Sequence, residues 1–255
     1  VSGPLIGVWA HPDDEAYLSA GLMAVARAAG RRVVVVTATR GERGTDDAVT
    51  WPPARLAALR ERELESSLQE VDVSEHHWLG YADGTLGAVP TRDGVRAVEA
   101  FLRRLRPATV VTFGPDGMTG HEDHRVVSSW VTEAWHRVGR TPDLWHATLT
   151  PEFHARWGRL NAEVGLWFEG ATPPVTPRSE LAEHLVCSGG LLEVKNRALR
   201  AHASQTAELE RLVGPDVYRD WWSTESFVAA PGRGPRTPSP GSLRMPGDET
   251  TSGAA

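Results

Sequence analysis

The stretch Ala10-His11-Pro12-Asp13-Asp14-Glu15 constrains this chain more than any other. An apolar run, Leu5 to Ala10, stops at one imidazole and three carboxylates, and an amphipathic stretch, Ala16 to Ala29, starts directly afterwards. That is the pattern of a strand, a tight loop and a helix. Pro12 disfavours the helical region for the residue before it, which predicts His11 extended at the last position of the strand. Asp13, Asp14 and Glu15 then fall in the first helical turn, where unpaired backbone N–H groups and the macrodipole favour negative charge. Helix capping alone accounts for a single Asp there. Two adjacent Asp residues beside a His ask for more, because open α/β sheets gather their chemistry at the carboxyl ends of strands.

The rest of the chain repeats the alternation. Val33 to Ala38 is a continuous β-branched run of the kind a doubly covered parallel strand needs, and it opens into the polar loop Thr39 to Thr45. Pro53 to Val71 is helical by period, with Leu56, Leu59, Leu64 and Leu68 as its apolar stripe. Its charged residues, Arg60 to Glu63 and Glu65, are expected on a solvated face. His77 to Tyr81 is a short strand before the turn Ala82-Asp83-Gly84-Thr85, and Val95 to Leu105 is a helix ended by Pro107. Thr109 to Phe113 is a fourth strand, followed by His121-Glu122-Asp123-His124 and a helix to about Val138. Thr119 and Glu122 have capping-box spacing, which explains Glu122 and leaves His121, Asp123 and His124 unexplained. Leu144 to Leu149 and Leu181 to Leu185 are further strand candidates, and Glu193 to Val213 is expected as one helix. Residues 157–170 resist assignment.

Alternating strands and helices predict a Rossmann-like three-layer α/β fold with a mostly parallel sheet, plus a smaller C-terminal α/β elaboration. Residues 1–230 are expected as a single domain. From Pro231 the chain is rich in Pro, Gly, Ser and Thr, and 231–255 is expected as a disordered tail. In the strand order 3-2-1-4-5, the first and fourth strands are neighbours at the topological switch point. The two polar clusters follow those two strands, so His11, Asp13 and Asp14 would face His121, Asp123 and His124 across one crevice.

Two imidazoles and one carboxylate, with room for water, form a catalytic type of zinc shell. The same donors also suit ferrous iron. Cys187 is the one cysteine, which excludes an intramolecular disulfide and a thiolate-rich zinc site. His76, His77, His136, His146, His154 and His184 stand alone and are expected as surface or core residues. The net charge of −6 advertises no nucleic-acid face, and no secretory signal or membrane-spanning stretch is legible. A soluble cytoplasmic protein acting on a small molecule is the expectation.

With these residues in hand, the chain resembles the zinc-dependent de-N-acetylases of the LmbE or PIG-L family, which remove acetyl groups from N-acetylglucosaminyl conjugates. Ala10 to Glu15 matches the first family motif, and His121-Glu122-Asp123-His124 matches the second, His-x-Asp-His. Weaker agreements are Gly41-Glu42, Arg60-x-x-Glu63-Leu64, Gly80 to Gly84, Lys195 and Ala201-His202-x-x-Gln205. The resemblance implies that His11, Asp14 and His124 bind Zn2+, with Fe2+ as an alternative, and that Asp13 is the general base. It also implies that His121, oriented by Asp123, stabilises the oxyanion or protonates the leaving amine. Glu42, Arg60 and Asp83 stand at positions that hold the substrate in some members. Thr119 stands where certain members carry an assisting tyrosine.

The implied reaction is removal of an N-acetyl or other N-acyl group from a glucosamine-type substrate, by attack of a zinc-bound water whose pKa is lowered towards about 7. Asp123 would hold a protonated His121 and raise its pKa. An amidase for a thiol-sugar conjugate or another small amide is the alternative. A dinucleotide site is disfavoured, because the first turn carries carboxylates where a pyrophosphate would need glycines and backbone N–H groups. A non-enzymatic metal-binding module has no use for Asp13 beside the ligands. The tryptophans Trp9, Trp51, Trp78, Trp130, Trp167, Trp221 and Trp222 are expected mainly in the core, with sugar stacking as the other role.

Overall fold

The computed structural model describes residues 3–232. The segment expected as a tail, 231–255, falls outside the described residues from 233 onward. The β-branched runs form strands because both of their faces are covered. β1 (Leu5–Trp9), β2 (Val33–Thr37) and β4 (Thr109–Phe113) are buried at every position. β3 (Glu75–Trp78) lies at the edge and is only partly buried. With β5 (Asp143–Thr148), β6 (Leu181–Val186) and β7 (Thr224–Ala229) they make one seven-stranded sheet in the order β3-β2-β1-β4-β5-β7-β6. The first five strands are parallel. β7 is antiparallel to both of its neighbours, β5 and β6, so the C-terminal elaboration extends the same sheet.

Eight α-helices accompany the strands among the described residues: α1 (Asp14–Ala28), α2 (Pro53–Glu70), α3 (Thr91–Leu105), α4 (Glu122–Arg137), α5 (Pro151–Glu163), α6 (Gly189–Ala201), α7 (Ala203–Val213) and α8 (Pro215–Trp221). α1 and α2 both pack on α6, while α3 packs on α4. This grouping is what right-handed crossovers running outward from β1 and β4 produce. None of the helices is long and apolar enough to cross a membrane.

Three local expectations change. His11 is not the last residue of β1, which ends at Trp9; Ala10 still pairs with Thr39, and the chain then turns at Pro12. The single helix expected over 193–213 is two helices meeting at His202. No Gly or Pro marks that break. Glu63 of α2 creates it by accepting the N–H and hydroxyl of Ser204 at 2.7 and 2.6 Å, which caps α7 from outside. Glu63 and Arg60 are therefore buried, not on a solvated face. The unassigned stretch 157–170 begins inside α5, whose first turn is capped by Thr150.

Candidate metal centre and active-site cavity

The neighbouring ends of β1 and β4 bring the two polar clusters together. His11 Nδ1 lies 3.2 Å from His124 Nε2 and 3.7 Å from Asp14 Oδ2, and His124 Nε2 lies 3.4 Å from Asp14 Oδ1. All three residues are buried. Each is aimed by its surroundings. Asp14 accepts the His11 backbone N–H at 2.8 Å. His124 Nδ1 lies 3.0 Å from the Gly117 carbonyl, which can only accept, so that nitrogen carries the proton and Nε2 presents its lone pair inward. His11 Nε2 faces two carboxylates, Asp83 at 3.1 Å and Asp123 at 3.3 Å, which leaves Nδ1 as its free donor atom. Two imidazole nitrogens and a carboxylate converging at this range fit a transition-metal ion. His121 also offers a nitrogen close to those of His11 and His124.

The surroundings of His11 favour its positive charge. Burial opposes protonation of His11, yet Asp123, Asp83 and Asp14 outweigh it and lift the imidazole to about 10. Burial raises Asp14, with the His11 charge and the His11 N–H acting against it. Burial holds His124 well below its ordinary value, and the neighbouring His11 and His121 push it the same way.

Asp13 is the N-cap residue of α1, but its side chain does not cap; its φ of 106° lies where only glycine is comfortable. Such strain costs on the order of 1–3 kcal/mol and persists only when the surroundings impose it. Here Glu15 accepts the Asp13 N–H at 3.0 Å, and Arg60 binds the Asp13 carboxylate at 3.2 Å. Burial pushes Asp13 up to about 6, against the pull of Arg60.

The residues expected to touch substrate have protein partners. Arg60 donates to the Pro12 and Gly41 carbonyls as well as to Asp13 and is 3 % exposed. Asp83 accepts the Arg43 N–H at 2.8 Å while facing His11, and Glu42 accepts the Asp83 N–H at 3.0 Å. Arg60 and Asp83 still line the cavity above the cluster; Glu42 stands behind Asp83.

Asp123 does not orient the His121 ring. Its carboxylate accepts the Gly84 and Leu86 N–H groups at 2.8 and 3.1 Å and faces His11. His121 instead caps α4: its Nδ1 accepts the Asp123 backbone N–H at 3.1 Å, which replaces the capping box expected of Thr119 and Glu122. A ring nitrogen that accepts is unprotonated, so the His121 proton sits on Nε2. Burial and the His11 charge lower its pKa, the reverse of the rise expected from Asp123.

Sequence reasoning missed the support behind the first motif. Glu15 is fully buried and accepts Ser67 Oγ at 3.1 Å and pairs with His202 Nε2 at 2.7 Å. Burial opposes both charges, but their attraction holds Glu15 low and His202 high. Lys195 Nζ, also fully buried, pairs with Glu225 at 2.5 Å and donates to the Ala16 and Tyr17 carbonyls of α1. A lone lysine in an otherwise arginine-only chain was the available signal. The cluster opens into a cavity of about 350 Å³. Trp167 and Trp222 line it, whereas Trp9, Trp130 and Trp221 are core residues.

A 1D-myo-inositol 2-acetamido-2-deoxy-alpha-D-glucopyranoside deacetylase from Saccharomonospora viridis is 30 % identical over 91 % of this chain and 96 % of its own length. The protein of the same name from Nocardia farcinica is 32 % identical, covering 80 % of each chain. The fold is similar to that of N,N'-diacetylchitobiose deacetylase from Pyrococcus horikoshii, with a TM-score of 0.62 and 21 % identity over 90 % of this chain and 84 % of the other. The model of the GlcNAc-PI de-N-acetylase family, PIG-L, matches residues 6–135, a span that contains both polar motifs. The chain belongs to the GlcNAc-PI de-N-acetylase (PIG-L) family.

Proposed function

We propose that this protein is a metal-dependent deacetylase that hydrolyses the acetamide of an N-acetylglucosamine-type substrate, with His11, Asp14 and His124 holding zinc or ferrous iron. The convergence of the three donor side chains within 3.7 Å, with the Arg60-bound carboxylate of Asp13 next to Asp14 in the chain, carries this reading. A divalent cation in that shell supplies Lewis acidity, making water a usable nucleophile near neutral pH and polarising a carbonyl.

The chain's own groups perform the remaining steps. Asp13 takes the proton from the attacking water as its oxygen bonds to the carbonyl carbon. Arg60 and Glu15 hold Asp13 where it can do so. His121 acts as a neutral donor: its Nε2–H stabilises the carbonyl oxygen as negative charge builds there. When the C–N bond breaks, the proton collected by Asp13 passes to the amine nitrogen, and acetate and the free amino sugar result. Asp83 and Asp123 hold His11, and Gly117 holds His124, so the shell is oriented from outside. The relatives' names specify a 2-acetamido sugar, which favours acetyl as the acyl group here.

Acetate release from N-acetylglucosamine, its chitobiose dimer and its inositol glycoside tests this, with chelated and zinc- or iron-reconstituted protein side by side. Release restored by metal is the expected result. No release from any conjugate by protein holding one metal per chain would overturn it.

A further inference from the structure

The steps derived above leave Tyr17 without a role, although it lines the cavity together with Asp13, Asp14 and Arg60. It stands in the first turns of α1 and is partly buried. Its ring meets Trp222 edge-on at 4.5 Å between centroids, and its hydroxyl lies 3.0 Å from that of Tyr218 in α8. Tyr218 is fully buried, and Thr206 of α7 also hydrogen-bonds its hydroxyl. The C-terminal part of the chain therefore pins a phenol of α1 at both ring and hydroxyl. The charges of Asp13 and Arg60 both act on the Tyr17 phenol, which places its hydroxyl towards the side of the cavity where they stand. Burial pushes both phenols above their ordinary range, so both remain neutral hydroxyls.

A phenolic hydroxyl both donates and accepts hydrogen bonds. The contact with Tyr218 takes one of these, and the Tyr17 hydroxyl has no other hydrogen-bond partner among the described residues. It is thus held in place with bonding capacity to spare on the cavity wall, so a ligand that meets it need not first order it. The charged groups around it are committed elsewhere: Arg60 to Asp13, Pro12 and Gly41, and Asp83 to His11 and the Arg43 N–H. Resting on the deacetylase reading above, we infer that Tyr17 is a specificity residue whose hydroxyl, anchored by Tyr218, hydrogen-bonds one hydroxyl of the pyranose ring that carries the acetamide. A site built around a substrate hydroxyl rejects the analogue lacking it, because its own polar group is then left unpaired. Tyr218 acts through Tyr17 and is a positioning residue.

The test is kcat/KM for acetate release from the methyl glycoside of N-acetylglucosamine and from its 3-deoxy, 4-deoxy and 6-deoxy analogues, with metal-loaded wild type, Tyr17→Phe and Tyr218→Phe. Tyr17→Phe is expected to lose about tenfold on the parent glycoside, mainly through KM, the size of one neutral hydrogen bond. One deoxy analogue is expected to lose the same factor with the wild type and nothing further with Tyr17→Phe. Tyr218→Phe keeps the Tyr17 hydroxyl but frees it, and is expected to lose about threefold on the parent and nothing on that same analogue. No loss in Tyr17→Phe, or a loss of one size on the parent and on every analogue, would overturn the inference and leave the deacetylase reading intact. A fall in kcat at unchanged KM would also overturn it, making Tyr17 a group that acts on the transition state alone. No acetate release by the wild type from any of the compounds would overturn the reading of the site and the inference with it.

Discussion

The Arg60 guanidinium lies 3.2 Å from the Asp13 carboxylate while also holding the carbonyls of Pro12 and Gly41. One planar cation thus fixes both the backbone of the first motif and the group proposed as its base. Lysine cannot reproduce this, since a single ammonium lacks the fork that reaches several acceptors in one plane. Arg60→Lys is expected to lower kcat by about 10- to 100-fold with metal content unchanged, the range typical of residues that orient a reacting group. Steady-state kinetics with metal analysis checks this. A rise in KM at constant kcat would instead make Arg60 a substrate contact, as the family resemblance implies.

Asp123 faces His11 Nε2 at 3.3 Å, in the manner of carboxylates that orient a ligating imidazole. Asp123→Asn is expected to weaken metal binding by about 10- to 100-fold. Competition with a chromogenic chelator reads this directly. Unchanged affinity would return Asp123 to the role of a helix-end residue bound to Gly84 and Leu86.

Lys195 and Glu225 form a fully buried ion pair, and Glu225 also accepts the Gly21 and Leu22 N–H groups of α1. Removing one partner leaves an uncompensated charge in the interior. Lys195→Met is expected to cost about 3–5 kcal/mol in urea unfolding, with Lys195→Met/Glu225→Gln recovering part of it. Equal destabilisation of both variants would mean that packing, not charge, dominates there.

His76 is pushed down to about 4 from an ordinary 6.5 by burial, with the nearby Glu15 pulling the other way. Between those values the unfolded chain binds more protons than the folded one, so stability falls as pH drops from about 6.5 towards 4 and levels off below. His76→Gln is expected to shrink the difference between urea midpoints measured at pH 7 and pH 4.5. An unchanged difference would assign the acid sensitivity to other groups.

The strand order and the facing clusters were legible because each rests on a local signal with a topological consequence. Apolar runs marked the strands, the common doubly wound order supplied their arrangement, and that order placed His11, Asp14 and His124 together. What stayed hidden depends on partners distant in sequence. The spacing of His121 and Asp123 sets their faces on α4 but not their neighbours, so the turn at Gly84 and Leu86 claims the carboxylate and His121 becomes the cap. The break at His202 comes from Glu63, more than a hundred residues upstream, and nothing near it in the chain signals a stop. Trp167 and Phe168 sit in a segment without periodicity, which left their place on the cavity wall unreadable.

Metal content and acetate turnover measured together on Asp13→Ala and His124→Ala separate the proposed base from the proposed metal ligand. Asp13→Ala is expected to keep its metal and lose about 10²- to 10⁴-fold in kcat, while His124→Ala is expected to lose metal and activity together. Loss of metal in Asp13→Ala with activity surviving metal restoration, or full metal content in His124→Ala, would contradict these roles.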